Sequence, residues 1–195
     1  RLKKENPIIK NKMQKNPIDL YYFMQQLGEF SRKDDVLITD AGSNYYIGGQ
    51  VWKFTKRQKE VYNSVLRVMK QAKQLLRPGV MLADYEKNVG ELMEKELVDL
   101  KLFTLKDVDS QVEAYKKYYM HGTSHHLGLD VHDVSNAEKP LSEGMILTCE
   151  PGIYIPEEKL GIRLENDILI REGGNLDLMD HIPIEADEIE DLLNI

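Results

Sequence analysis

Four of the five histidines lie within twelve residues, at 121, 125, 126 and 132, with Asp130 among them and Asp133 directly after. Imidazole is the commonest neutral metal ligand and titrates near neutral pH, so histidines clustered beside aspartates point to a metal site or to acid–base chemistry. Taken alone, the stretch also reads as a polar loop with incidental histidines. Two later segments narrow the choice: Thr148-Cys149-Glu150-Pro151-Gly152 and Gly161-Ile162-Arg163-Leu164-Glu165-Asn166-Asp167. Each sets a carboxylate at a strand end. Either glutamate by itself reads as solvated surface. Together with the histidines they supply one imidazole and two carboxylates, a donor set suited to Mn or Zn.

The elements that must position these residues can be read from periodicity. Thr55 can cap a helix whose apolar positions Val61, Val65, Met69, Ala72 and Leu76 recur every three or four residues until Pro78-Gly79 stops it. A second amphipathic helix is predicted over about 83–100, with Tyr85, Val89, Met93 and Leu97 on one face. From Tyr118 onward the pattern changes to short apolar runs at 145–148, 152–155, 162–164 and 168–170, separated by Gly, Pro and Asp. These read as strands. The segment 185–193 reads as a final short helix. Ahead of all this, Asn16-Pro17 opens a helix with Ile18, Leu20, Tyr21, Met24 and Leu27 on its stripe, and 36–39 reads as a buried strand ending at Asp40-Ala41-Gly42.

Composition bounds the rest. The 195 residues suffice for one domain with a core, and 42% hydrophobic against 30% charged residues is ordinary for a globular protein. No apolar run reaches the roughly 20 residues needed to span a bilayer, and the N-terminus lacks the apolar stretch of a signal peptide, so no membrane role and a cytoplasmic location are expected. The single cysteine, Cys149, has no partner in the chain for a disulfide and reads as a small buried hydrophobe. A net charge of -7 argues against nucleic-acid binding. That charge is unevenly spread: residues 1–53 carry nine Lys or Arg against six Asp or Glu, while 54–195 carry seventeen against twenty-seven.

The ordered segments His121-Gly122-Thr123-Ser124-His125-His126-Leu127-Gly128-Leu129-Asp130-Val131-His132-Asp133, Cys149-Glu150-Pro151-Gly152-Ile153-Tyr154 and Gly161-Ile162-Arg163-Leu164-Glu165-Asn166-Asp167 resemble aminopeptidase P and its prolidase relatives over 54–195. The resemblance implies an α+β fold, the C-terminal half of a pita-bread architecture with helices packed outside a curved, mainly antiparallel sheet. It makes His125, Glu150 and Glu165 metal ligands. It puts His121 and His132 at the substrate, with Arg163 supporting the site. In that family two ions acidify a water, Glu150 would help move its proton and His132 would donate to the oxyanion. The expected cofactor is Mn, or Zn or Co. The expected substrates are peptides with proline at the second position, cut before that proline.

The family's site also takes two earlier aspartates. Asp40 resembles the first, but Val51-Trp52-Lys53-Phe54 stands where the second, in an Asp-x-Thr-Arg-Thr segment, is due. One ion or none, and impaired activity, are therefore expected. Residues 1–53, through Asp35-Val36-Leu37-Ile38-Thr39-Asp40-Ala41-Gly42-Ser43-Asn44, resemble instead a thiamine-diphosphate enzyme of the acetolactate-synthase type, although the Gly-Asp-Gly cofactor motif of that family is absent. A helix–strand segment of different origin over 1–53, followed by a partial catalytic domain over 54–195, is the expected organisation. A noncatalytic fragment acting as a binding module remains the alternative, and an uncovered apolar sheet in such a fragment would favour a homo-oligomer.

Overall fold

A computed structural model of the chain describes residues 20–30, 55–104, 106 and 113–193. The strand expected over 36–39, the Asn16 cap and Asp40 lie outside the described residues. The chain divides into two compact units, Arg57–Pro183 and a second made of Arg1–Lys56 with Ile184–Ile195. The described parts of the second unit include two helices, α1 (Leu20–Phe30) and α4 (Ala186–Leu193). In α1, Phe23 and Phe30 are exposed.

The larger unit opens with α2 (Lys56–Leu75), from its second residue onward, followed by α3 (Leu82–Asp99). Both form where the 3.6-residue stripe predicts them, and Val61, Val65, Met69, Ala72, Leu76, Tyr85, Val89, Met93 and Leu97 are all fully buried. The break between them falls at Pro78-Gly79, where Gly79 takes φ 87°, a left-handed value that carries no Cβ penalty in glycine. The Arg67 guanidinium forks onto the buried Glu96 carboxylate at 2.9 and 2.6 Å, linking α2 to α3.

The strands are β1 (Ile146–Cys149), β2 (Gly152–Ile155), β3 (Leu160–Arg163), β4 (Asn166–Leu169) and the short β5 (Leu176–Asp177), which periodicity did not reveal. All described pairs are antiparallel, in two sheets ordered β1-β4-β5 and β2-β3. The expected 162–164 strand lies instead at Leu160–Arg163, because pairing with β2 across the hairpin fixes its extent. Cys149 pairs with Asn166 and Gly152 pairs with Arg163, so one register runs through both sheets as a single ribbon interrupted at Glu150-Pro151 and Leu164-Glu165. Pro151 has no N–H to give the ladder, which accounts for a break at that point.

Side chains alternate across this ribbon. Leu147, Cys149, Ile153, Ile155 and Ile168 are fully or almost fully buried. On the helix side the Tyr85 hydroxyl lies 3.8 Å from Cys149 Sγ, and Lys73 pairs with Asp177 at 2.5 Å. The helices therefore cover one face of the sheet and leave the other to polar side chains, an α+β layering in agreement with the sequence.

Candidate metal centre

The break in the ribbon brings the two carboxylates together. Continuing the register one step past Cys149 and Asn166 sets Glu150 opposite Glu165. Alternation then puts Thr148, Glu150, Tyr154, Arg163 and Glu165 on the face away from the helices. Sequence reading had located Glu150 and Glu165; their adjacency is a product of strand pairing.

The histidine segment supplies the third wall by running along the free edge of β1. Glu150 N donates to Thr123 O at 2.8 Å, Thr148 N to His125 O at 3.0 Å, and Leu127 N to Ile146 O at 3.1 Å. This extended course projects His125 onto the carboxylate face. His125 Nδ1 lies 3.0 Å from the His126 carbonyl, which only accepts, so in the neutral ring Nδ1 carries the proton and Nε2 offers the lone pair. That Nε2 lies 3.1 Å from Glu150 Oε1. A lone pair and a carboxylate oxygen repel at such a distance unless a cation or a proton lies between them.

Ligand atoms of His125, Glu150 and Glu165 all fall within 4.8 Å of one another. Metal–donor bonds of about 2.0 to 2.2 Å place donors on one ion roughly 3 to 4.4 Å apart, so this set fits a single divalent ion after a small inward adjustment. Glu150 is buried, His125 is part-buried and Glu165 is exposed, which leaves the site open on one side. Arg163 lies 3.5 Å from Glu150 and 3.9 Å from Glu165, a cation balancing two carboxylates.

Thr148 and Tyr154, which motif reading did not single out, complete the arrangement. The His125 amide donates to Thr148 Oγ1 at 3.1 Å, and that hydroxyl donates onward to Glu150 Oε1 at 3.2 Å, tying two ligands through one side chain. The Tyr154 side chain lies back along β2 over Gly152, where a Cβ would come within 2.8 Å of its hydroxyl. It reaches His121, whose Nε2 is 2.8 Å from the Tyr154 hydroxyl and whose Nδ1 is 2.8 Å from Gly122 O. The carbonyl again assigns a proton to Nδ1, so in the neutral ring Tyr154 donates to Nε2. Burial pushes the Tyr154 phenol above its ordinary value, which keeps that donor proton in place. Thr148 and Tyr154 stand at even offsets before and after Glu150 along the ribbon, a signal available in the sequence.

His132 stacks on His125 with ring centroids 4.0 Å apart and planes inclined by 17°. A tight loop presents it: Gly128 N donates to Asp130 O, Asp133 N donates to His126 O, and a Cβ on Gly128 would collide with the Asp133 carboxylate. The structure thus gathers His121, His125, His132, Glu150, Arg163 and Glu165 in one place. Asp40 is outside the described residues, and His126 instead bridges to Leu147 through its backbone.

A family model described as metallopeptidase family M24 matches residues 29–172, a span that starts ahead of the boundary expected at 53/54. The chain is 37% identical to the Xaa-Pro aminopeptidase of Haemophilus influenzae, over 82% of this chain and 42% of that protein. It is 39% identical to the Xaa-Pro aminopeptidase of Escherichia coli, over 83% of this chain and 42% of the relative. The chain therefore spans about two fifths of the length of the relatives it matches. A zinc-substituted aminopeptidase P of E. coli in complex with product superposes with a TM-score of 0.66 at 36% identity, over 76% of this chain and 36% of that one.

Proposed function

Because the chain belongs to metallopeptidase family M24, we propose that it is the metal-ligand-bearing part of an Xaa-Pro aminopeptidase, removing the N-terminal residue of peptides whose second residue is proline. The observation that carries this reading is the convergence of His125, Glu150 and Glu165 donor atoms within 4.8 Å on one face of the broken ribbon. These three residues would hold a divalent ion, with Mn the first choice and Zn or Co the others for a donor set of one imidazole and two carboxylates. Bound there, such an ion supplies Lewis-acid activation of water for amide hydrolysis.

The chain's own groups divide the remaining work. Glu150 accepts the proton that the attacking water loses, from a position where Thr148 and Arg163 orient its carboxylate. His132, exposed and stacked on His125, stands free to donate to the oxygen of the scissile carbonyl as negative charge builds there. His121, fixed by Gly122 O and Tyr154, forms the wall against which substrate is placed. Arg163 offsets the repulsion of two adjacent carboxylates before the ion arrives.

The donor set described supplies ligands for one ion rather than two, and a second ion requires carboxylates such as Asp40. Elemental analysis after loading with Mn, Zn or Co and desalting is expected to give about one ion per chain, lost in His125→Ala, since three protein ligands suffice for one catalytic ion. Assay of Xaa-Pro peptides is expected to show cleavage that depends on added metal. A wild-type chain that retains no metal would refute the assignment. For location, the buried and unpaired Cys149 supports a reducing compartment, and the cytoplasm is the proposed one.

A further inference from the structure

The segment that carries His121 and His125 is held by more than its pairing with β1. Its two central amides, those of Thr123 and Ser124, both point toward α3 and end on one side chain, Glu86. Thr123 N donates to Glu86 Oε1 and Oε2 at 2.9 and 2.8 Å, Ser124 N to Oε1 at 3.1 Å, and Thr123 Oγ1 to Oε2 at 2.9 Å. The Thr123 hydroxyl gives its proton to Glu86 and so accepts from Tyr119, 2.5 Å away. Thr123 is fully buried, so its amide and hydroxyl have no solvent to turn to. One residue earlier on α3, Tyr85 accepts from Ser124 Oγ at 3.0 Å.

The same helix face holds the chain upstream. Four residues after Glu86, Gly90 lies under Tyr115 so closely that a Cβ would come within 2.4 Å of its ring. Four residues further on, burial raises the Glu94 carboxyl and the backbone of Tyr115 and Ala114 opposes that rise. Residues 86, 90 and 94 fall on one stripe of a helix. That stripe clamps 114–124 at both ends.

We propose that Glu86 is a positioning residue of the metal centre: by accepting the Thr123 and Ser124 amides it fixes the backbone between His121 and His125, and so aims both imidazoles at the Glu150–Glu165 face. Its effect on metal affinity rests on the metal-site reading above; its effect on the segment does not. An ionised carboxylate is the side chain suited to this place, because it accepts from several donors at once and offers no hydrogen of its own. In Glu86→Gln the amide NH2 would face one of the backbone N–H groups and leave at least one buried donor without an acceptor.

The test compares wild type, Glu86→Gln and Met93→Ala, the last a truncation of a fully buried α3 residue that takes no part in the hydrogen bonds to Thr123 and Ser124. Three quantities are read: the thermal midpoint, amide hydrogen exchange at Thr123 and Ser124 in metal-free protein, and Mn2+ affinity by titration calorimetry. Glu86→Gln is expected to speed exchange at both amides and to weaken Mn2+ binding by about tenfold or more, the usual cost of disturbing groups that orient a ligand. Met93→Ala should lower the midpoint and leave Mn2+ affinity within about twofold. Exchange and affinity in Glu86→Gln that track those of Met93→Ala overturn the proposal, as does faster exchange with unchanged affinity. If wild type takes up no Mn2+, the metal reading fails and the exchange result alone decides whether Glu86 holds the segment. Should Glu86→Gln not fold, Thr123→Val removes one of the donors, and the same direction of change at a smaller size is required.

Discussion

At the scale of single residues, neighbours in sequence are given opposite characters by the two faces of one strand. Cys149 and Glu150 are adjacent, yet Cys149 Sγ sits against Tyr85 and the Met69 carbonyl while Glu150 faces His125 and Arg163. Burial pushes the Cys149 thiol up to about 12, so almost no thiolate exists near neutral pH. A disulfide reagent such as DTNB at pH 8 is expected to leave the native chain unmodified and to titrate one thiol per chain after unfolding in guanidinium. Rapid reaction of the native protein would show that the β1 face opens on the timescale of labelling.

At the scale of elements, the helices and the sheet are joined by a few directional contacts at the end of α2. Asn175 Nδ2 donates to the carbonyls of Lys73 and Leu76, satisfying acceptors that a helix terminus leaves over. Asp177 on β5 is half-buried, which alone would raise its carboxyl. The opposing contacts from Lys73, from Asn166 at 3.0 and 2.9 Å and from the Met179 amide outweigh that and hold it below its ordinary value. A carboxyl lowered by folding contributes stability that is present above its ordinary value of 3.8 and is lost as pH falls through the lower, folded one. In urea unfolding, Asp177→Asn is accordingly expected to be less stable than wild type at neutral pH, with the gap closing as the solution is made strongly acid. A gap that stays constant down to pH 2 would mean that the carboxylate's charge plays no part in this junction.

At the scale of the whole molecule, the core of the larger unit forms where the buried faces of α2 and α3 meet the buried face of β1 and β4. Truncating a fully buried residue there, Ile168→Ala for instance, is expected to cost about 2 to 5 kcal/mol in chemical denaturation, because a filled core collapses only partly around a cavity. A cost near zero would show that this layer is loosely packed. Much of the architecture was legible in the sequence, since helix faces with a 3.6-residue period and short apolar runs record which side of each element is dry. The chemistry of the site was legible too, because histidines and glutamates at fixed positions in three segments name the donors without naming their geometry. What the sequence by itself determined is therefore the set of elements, their buried faces and the identity of His121, His125, His132, Glu150, Arg163 and Glu165. Only tertiary structure decided that Glu150 stands opposite Glu165, that Tyr154 reaches His121, and that Glu86 holds the amides between the two histidines. Those relations depend on strand register and on contacts between residues far apart along the chain, and neither leaves a periodic trace in the sequence.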